Sequence, residues 1–400
     1  MSADSIETVL DRIYIHDVDS HVSEPPDLWT SRVSSKWGDD IPHVVADHET
    51  GVESWYIGGH KTSDAAAMAP AGWREPAPGH PPTLADALPA AWQPGPRLQW
   101  MDDQGVYSQV IYPNILGFIH PAFFTLDAQL QVECVQAYND FQTDFCSENP
   151  DRLIAMTYLP WWDIEASQVE LQRCQDGHHK GVILPWEFER HGLPPFRSDH
   201  WEPLLKEIEE SGLPISFHIG FDASLEEFEA RIEQGSIMDI VGDASKALLG
   251  NARCIVELIT GGTCHRYPNL KFVSVESGMG YIPYLLEGLD WHFMNTAAYR
   301  AHPERLLPSE YFRRQMYGTF WFESDVARLV DLYPDNFMFE TDFPHGTGLC
   351  PGPNTVTTKS AQETIHDNLG NLSEDLLTKL LQDNAAKLYG LPRRGRTERV

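Results

Sequence analysis

Eight short β-prone segments recur along this chain, and segments with helical periodicity lie between them. The β-prone segments span residues 13–18, 107–113, 152–160, 180–186, 213–220, 270–277, 316–323 and 336–344. Alternation of strand and helix favours parallel pairing through right-handed crossovers, and eight such units predict an α/β fold of the (β/α)8 TIM-barrel type. A doubly wound open sheet is the alternative, which fits less well because no glycine-rich phosphate-binding turn follows any of these segments.

A long insertion interrupts the alternation after the first strand, over residues 36–100, and is rich in Pro, Ala and Gly. Four of its tryptophans favour ordered packing over disorder: Trp55, Trp73, Trp92 and Trp100. We therefore predict one barrel domain over residues 1–391, in which the insertion forms a lid or an arm that reaches a neighbouring subunit. Residues 392–400 predict a flexible basic tail.

The charge balance argues against several classes of partner. The chain has 29 basic and 59 acidic residues, a formal net charge of −30, which repels nucleic acids and anionic membranes. No apolar run has the length of a membrane helix, and the N-terminus lacks the basic and apolar regions of a signal peptide. The six cysteines form no CxxC pair, which indicates reduced thiols. These features favour a cytoplasmic protein that acts on a small molecule.

The first predicted strand runs into "HDVDSHVSEP", residues 16–25, where Asp17, Asp19 and His21 occupy alternate positions. Residues two apart in a strand point to the same face, so these three side chains converge. Half of a metal site would explain this pattern. A solvated strand end, or a capping role for Asp19, would explain it too. The local sequence leaves the choice open.

Further imidazole and carboxylate groups lie at the carboxyl ends of other predicted strands, which is where a barrel of this type carries its active site. His218, Glu276 and Asp342 end the fifth, sixth and eighth strands, and His345 lies just beyond the last of these. Nitrogen and oxygen ligands that converge from several strands are what a divalent cation needs. The predicted ligands are Asp19, His21, His218 and Asp342.

Several segments resemble the amidohydrolase-related family, which includes γ-resorcylate decarboxylase and aminocarboxymuconate semialdehyde decarboxylase. These segments are "VDSHVSEP", "FHIG", "KFVSVESGMGYIPYLLEGLD", "FETDFPHG" and "DNAAKLYGL", in order from residue 13 to about residue 391. The resemblance implies a (β/α)8 barrel with a divalent metal. The family's ligands are a first-strand pair spaced by one residue, a strand-5 His and a strand-8 Asp. In this chain they fall on Asp19, His21, His218 and Asp342.

The chain departs from this family at two positions. The first-strand pair, often His-x-His or Glu-x-His, is Asp-x-His here, and its harder carboxylate shifts the metal preference from zinc toward manganese or iron. Where the family's enzymes carry a catalytic His after strand 6, this chain has Glu276. A carboxyl group replaces an imidazole as proton donor only where burial raises its pKa.

Glu276 therefore has three interpretations. It is a general base, or a partner that orients a metal-binding His, or a ligand in a dinuclear site. In the dinuclear case His345 is a further ligand, and Asp17 or His16 completes the site. For Asp17 and for His345 taken alone, a structural role is an equally good interpretation.

Three functional hypotheses follow. The first is a metal-dependent hydrolase or decarboxylase that acts on a small carboxylated or aromatic substrate, with Glu276, His345 and Asp342 as catalytic residues. The metal would chelate the substrate or lower the pKa of a bound water. The second is an O2-activating monooxygenase with two irons, or iron and manganese, in the same barrel. The third is a non-catalytic metal-binding subunit of a hetero-oligomer. A homo- or hetero-oligomer of barrel subunits is expected in each case.

Overall fold

The structure, a computed structural model, describes residues 3–115, 120–220, 237–353 and 357–394. In chain order the described strands are β1 (His16–His21), β2 (His43–Ala46), β3 (Glu53–Ile57), β4 (His60–Asp64), β5 (Ser108–Tyr112), β6 (Leu153–Ala155), β7 (Thr157–Tyr158), β8 (Val182–Ile183), β9 (Ile215–His218), β10 (Phe272–Val275), β11 (Met316–Phe320) and β12 (Phe337–Phe339). Nine of them coincide with or overlap the eight predicted strands, since β6 and β7 both lie in the segment 152–160, and the other three, β2–β4, lie in the insertion.

Helices alternate with these strands along much of the chain. The described α-helices are α1 (Ala3–Leu10), α2 (Leu28–Arg32), α3 (Pro94–Gln104), α4 (Ala128–Cys146), α5 (Ile164–Asp176), α6 (Glu202–Ser211), α7 (Ile237–Ala247), α8 (Gly250–Thr260), α9 (Thr263–Arg266), α10 (Ile282–Asn295), α11 (Ala298–Ala301), α12 (Pro308–Gln315), α13 (Val326–Leu329), α14 (Ala361–Thr364), α15 (Glu374–Thr378) and α16 (Asn384–Tyr389). Local chemistry fixes several of their ends. The Asp127 carboxylate accepts from Gln129 N at 2.8 Å and begins α4, whereas Gly212 at φ 74° ends α6.

The chain forms two compact units that are interleaved in sequence. The first unit comprises Met1–His16, Gly181–Glu340 and Ile365–Val400, and the second comprises Asp17–Lys180 and Thr341–Thr364. The interpretation of residues 1–391 as one domain stays a prediction. Of the predicted tail, residues 395–400 lie outside the described residues. Among the described helices, none combines the length and apolar composition needed to cross a bilayer.

The first unit contains five parallel strands in the order β12-β11-β10-β9-β8. Their apolar residues are buried, as expected for parallel strands covered by helices. The buried Asn251 side chain of α8 donates to Phe217 O at 3.1 Å and to Val275 O at 3.0 Å, so it ties β9 to β10 near their carboxyl ends. This fixes the separation of the two strands that carry His218 and lead to Glu276.

The second unit contains a parallel sheet in the order β1-β5-β6 and an antiparallel sheet in the order β2-β3-β4. The antiparallel sheet lies in the insertion, where Trp55 is fully buried and packs edge-on against Trp29 at 5.1 Å between ring centroids. The insertion thus packs against α2. Its role as a lid or as an oligomer arm stays a prediction.

The α/β class with parallel strands is confirmed, while strand pairing among the described residues does not by itself close a barrel. Two predicted boundaries were wrong. The first strand covers 16–21 rather than 13–18, because the turn that ends α1 extends to Ile13, whose N–H donates to Leu10 O. The last strand ends at Phe339 rather than near residue 344, so Asp342 lies in the loop that follows it.

All six cysteines are free thiols in the structure and five of them are buried. Their reduced state in the cell stays a prediction. Burial raises the pKa of each thiol above its usual value, and for Cys350 the pKa rises to about 11. None of these thiols is therefore activated as a nucleophile.

Candidate metal centre

Strand β1 places Asp19 and His21 two residues apart on one face, and both side chains are fully buried. His21 Nε2 lies 3.4 Å from Asp19 Oδ1. The strand is held in this register by its neighbours, since Ser20 Oγ donates to Val110 O at 3.0 Å. Alternation within the strand therefore brings an imidazole nitrogen and a carboxylate oxygen together, as the sequence predicts.

Asp342 reaches the same pair from the loop after β12. Its backbone N–H donates to Asp19 O at 3.0 Å, and His21 N donates to Phe343 O at 2.6 Å, so this loop pairs with β1 like a neighbouring strand. Asp342 has a φ of 56°, a left-handed conformation that is uncommon outside glycine. Its Oδ1 lies 3.8 Å from His21 Nε2.

His345 adds a second imidazole from the same loop. Its Nδ1 lies 2.6 Å from Asp342 Oδ1, and its ring stacks on that of His21 with 3.9 Å between the centroids. His21, Asp342 and His345 each offer a ligand atom within 4.8 Å of one another. Two nitrogens and a carboxylate at this spacing are a donor set that suits a first-row divalent cation.

The orientation of His21 supports this fit. Its Nδ1 donates to Pro113 O at 3.1 Å, because a carbonyl only accepts. In the neutral ring Nε2 then carries the lone pair, and this nitrogen faces the carboxylates of Asp19 and Asp342. A lone pair that faces carboxylate oxygens is repulsive unless a proton or a cation lies between them. A ligating His whose other nitrogen donates to a carbonyl is the usual arrangement at metal sites.

In the first unit, His218 at the end of β9 pairs with Glu276, which follows β10. His218 Nδ1 donates to Ile219 O at 2.7 Å, and its Nε2 lies 3.2 Å from Glu276 Oε2. Glu276 has a φ of 55°, and its N–H donates to Thr319 Oγ1 at 3.1 Å. Its side chain retains 12 % exposure.

Asp17 supports the loop that carries Asp342. Its carboxylate accepts from Thr341 N at 2.8 Å, from Thr341 Oγ1 at 2.5 Å and from Gln109 Nε2 at 2.8 Å. Burial raises the Asp17 pKa to about 7, against the lowering effect of these donors. Its oxygens are thus engaged by the protein itself, which favours the structural interpretation of Asp17. His16 is also engaged, since its Nε2 donates to Pro392 O at 3.0 Å.

Sequence reasoning missed a second set of supporting residues. Glu24 accepts from Asn114 N at 2.8 Å and Ile115 N at 3.0 Å. Asn114 in turn contacts His345, whose Nε2 lies 2.9 Å from Asn114 Oδ1. About 90 residues separate Glu24 from Asn114 in the chain. No local pattern signals such a contact.

A family model described as "Amidohydrolase" matches residues 18–391. The chain is 23% identical over 257 residues to the γ-resorcylate decarboxylase of Rhizobium sp. (strain MTP-10005), covering 62% of this chain and 76% of the relative.

Two solved structures share the fold. One is the amidohydrolase map2389c from Mycobacterium avium subsp. paratuberculosis K-10, with a TM-score of 0.72, 22% identity, and coverage of 94% of this chain and 99% of the other. The second is a dihydroxybenzoic acid decarboxylase from Polaromonas sp. JS666 with bound manganese and the inhibitor 2-nitroresorcinol. It has a TM-score of 0.57, 20% identity, and coverage of 74% and 85%.

Proposed function

Because this chain belongs to the amidohydrolase family, we propose that it is a metal-dependent carboxy-lyase that removes CO2 from a small aromatic carboxylate. One observation carries the proposal. His21 Nε2 faces the buried carboxylates of Asp19 and Asp342 at 3.4 Å and 3.8 Å while its other nitrogen donates to a carbonyl. The choice of decarboxylation over hydrolysis is supported by the names of two relatives, a γ-resorcylate decarboxylase and a dihydroxybenzoic acid decarboxylase.

The metal is a single divalent ion in this proposal. Its ligands in the second unit are Asp19, His21 and Asp342. That His218 is a further ligand stays a prediction from the resemblance of the "FHIG" segment to the family's strand-5 His. Two carboxylates make the donor set hard and anionic, which favours manganese over zinc. The manganese in the Polaromonas enzyme supports this choice. When bound, such an ion supplies Lewis acidity toward the substrate carboxylate.

The protein's own groups carry out the proton transfer. In decarboxylation the bond between the ring carbon and the carboxylate carbon breaks, CO2 leaves, and the electron pair stays on the ring carbon. We assign the proton that this carbon takes up to the Glu276 carboxyl group, which then regains a proton from solvent. Its left-handed φ of 55° and the hydrogen bond from its backbone N–H to Thr319 Oγ1 fix the backbone that carries this side chain.

Asp342 and His345 have a coupled role. Asp342 Oδ1 lies 2.6 Å from His345 Nδ1, so the carboxylate that binds the metal also orients the second imidazole. Stacking on His21 at 3.9 Å further restricts the His345 ring. We propose that His345 orients the substrate. Its use as a ligand of a second ion is the alternative, and metal stoichiometry separates the two.

The test is a substrate panel with purified protein loaded with Mn²⁺. Hydroxybenzoates and other aromatic acids are incubated with and without O2, and CO2 and the remaining arene are quantified in parallel with esters and amides. We expect CO2 and arene in equal amounts, independent of O2, and no product from the Asp19→Ala variant.

Other outcomes overturn this function in distinct ways. Hydrolysis of an ester or amide without CO2 would establish the hydrolase instead. Turnover that requires O2, with two irons per chain, would restore the monooxygenase hypothesis, to which the relatives named above lend no support. Inactivity together with equimolar co-purification of a second barrel chain would favour the non-catalytic subunit.

A further inference from the structure

The segment that carries Glu276, residues 276–279, follows the carboxyl end of β10 and is held by its backbone from two other strands. Glu276 N lies 3.1 Å from Thr319 Oγ1 of β11 and 3.3 Å from Oε2 of Glu340, the residue after β12. Its hydrogen is thus shared between two acceptors, and the side chains of both acceptors are fully buried. These contacts fix the start of the segment.

A second carboxylate holds the end of the same segment. Glu323, three residues after β11, accepts from Met279 N at 2.7 Å through Oε1 and from Trp321 N at 3.3 Å through Oε2. Its own backbone is held in turn, because Asn368 Nδ2 donates to Glu323 O at 3.0 Å. Hydrogen bonds from N–H groups to a carboxylate are about twice as strong as those between neutral groups. Glu323 therefore ties the Glu276 segment to the loop that follows β11.

The sequence of the segment leaves space for this carboxylate. Gly278 has a φ of 70°, and a Cβ atom added to it would lie 2.6 Å from Glu323 Oε1, so the carboxyl group would have to move. At Gly280, by contrast, an added Cβ atom would meet nothing within 4 Å. A glycine at position 278 is therefore what allows Glu323 to approach the segment this closely.

We propose that Glu323 is a positioning residue, which acts through the backbone of residues 276–279 to keep the Glu276 carboxyl group where it protonates the substrate carbon. The inference rests on the proposed function, in which Glu276 delivers this proton. Without Glu323 the end of the segment loses its acceptor and can shift, and the Glu276 side chain shifts with it. A displacement of about 1 Å at a reacting group lowers the rate about 100-fold.

The first measurement uses the full chain, metal-free or with Zn²⁺, and needs no substrate. The chain has nine methionines, so labelling with ¹⁵N-methionine gives a simple ¹H–¹⁵N spectrum in which Met279 is identified by its loss in Met279→Leu. We expect the Met279 amide to exchange slowly with solvent in the wild type. Exchange should be about tenfold faster in Glu323→Leu, which removes both acceptor oxygens, and intermediate in Glu323→Gln, which keeps one.

The second measurement compares kcat with KM for the Mn²⁺-loaded enzyme. Glu323→Leu should lower kcat about 10- to 100-fold and leave KM and manganese content at the wild-type level, because the change displaces the proton donor and leaves the metal ligands of the second unit in place. Gly278→Ala should reproduce this loss of kcat. Gly280→Ala, where the added carbon has free space, is the matched control and should retain wild-type kcat. Far-UV circular dichroism and the melting temperature establish that each variant is folded.

Two results would overturn the inference. One is a Met279 amide that exchanges equally fast in the wild type and in Glu323→Leu, and the other is a folded Glu323→Leu enzyme with wild-type kcat. Normal kcat in Glu276→Gln would instead overturn the proton assignment of the proposed function, so the two failures are distinguishable. If Glu323→Leu does not fold, the comparison passes to Gly278→Ala against Gly280→Ala, and equal kcat in that pair contradicts the proposal.

Discussion

Trp100 stacks on Phe343 with 3.9 Å between ring centroids and an angle of 27° between the planes. A second contact comes from Arg97, whose guanidinium carbon lies 4.6 Å from the Phe343 centroid. Both residues belong to α3, which spans the end of the insertion. Phe343 directly follows Asp342. The insertion therefore clamps the loop that carries a proposed metal ligand.

Replacement of Trp100 by Ala should weaken both the fold and the metal centre. We expect the free energy of unfolding to fall by about 2–4 kcal/mol, because the change removes a large aromatic contact and leaves a cavity. Mn²⁺ affinity should fall as well, since the Asp342 loop loses its support. Urea unfolding and calorimetric Mn²⁺ titration measure the two effects. Trp291→Ala, at a position with 67% exposure, is the matched control and should leave both unchanged. Equal behaviour of the two variants would contradict the clamp.

Removal of the His21 or Asp19 side chain should abolish stoichiometric metal binding. Wild-type protein should carry about one manganese per chain, and His21→Ala or Asp19→Ala should carry almost none, because each change deletes a ligand of a small donor set. Metal at 100 times its dissociation constant should raise wild-type stability by about 2.7 kcal/mol, and chelation should reverse this. Elemental analysis and thermal melts give the answer. His302→Ala, an exposed histidine, is the control.

Glu276→Gln should separate chemistry from metal binding. The amide keeps the shape of the side chain but cannot deliver a proton, so kcat should fall about 10²- to 10⁴-fold while metal content stays at the wild-type level. Steady-state assays with the substrate found in the panel measure this loss. Glu287→Gln changes an exposed carboxylate of α10 and should have no effect. A Glu276→Gln enzyme with normal kcat would show that the proton comes from another group.

Glu24 should make the fold less stable as the pH rises. Burial raises its pKa from 4.5 to about 7, so the folded chain holds a proton that the unfolded chain has lost over this range. The contribution of the protonated Glu24 side chain to the free energy of unfolding is complete below pH 4.5. It is lost as the pH rises through 7, for a total loss of order 3 kcal/mol. Urea unfolding from pH 5 to pH 8 should show this slope in the wild type and a flatter profile in Glu24→Gln. Parallel profiles would contradict the assignment.

His179 should have the opposite effect, so that the fold becomes less stable as the pH falls. It is buried between two threonine hydroxyls, with Thr143 Oγ1 2.9 Å from Nε2 and Thr157 Oγ1 3.2 Å from Nδ1. Burial lowers its pKa from 6.5 to about 4. The contribution of the neutral His179 ring to the free energy of unfolding is therefore complete above pH 6.5 and is lost as the pH falls toward 4. The same unfolding series, compared with His179→Gln, should show a smaller loss of stability in the variant under acid conditions.

The strands and the grouping of residues within each unit were largely predictable from the sequence. Period-2 spacing in "HDVDSHVSEP" was sufficient to place Asp19 and His21 on one face. Because a parallel α/β barrel carries its site at the carboxyl ends of its strands, the end of the last predicted strand indicates Asp342 and His345. The family match confirms the resemblance that the segment order implied. Metal binding by these residues stays a prediction until metal content is measured.

What the sequence did not predict depends on contacts between distant segments. No local pattern indicates the burial of His179, because the two threonines that pair with it lie 22 and 36 residues away. Likewise no periodicity in residues 36–100 indicates that α3 would cover Phe343. Such pairings are decided by packing across the whole chain, which local propensity does not contain.

The left-handed backbone at Glu276 and Asp342 sets stability and function against each other. At either position a glycine would relieve a conformational cost of about 1–3 kcal/mol, so the folded chain without these carboxylates would be the more stable one. A laboratory selection for heat resistance alone would therefore enrich glycine at positions 276 and 342 and return robust but inactive protein. Engineering of a more heat-resistant variant of this chain therefore has to keep Glu276 and Asp342 unchanged and introduce stabilising substitutions at other positions.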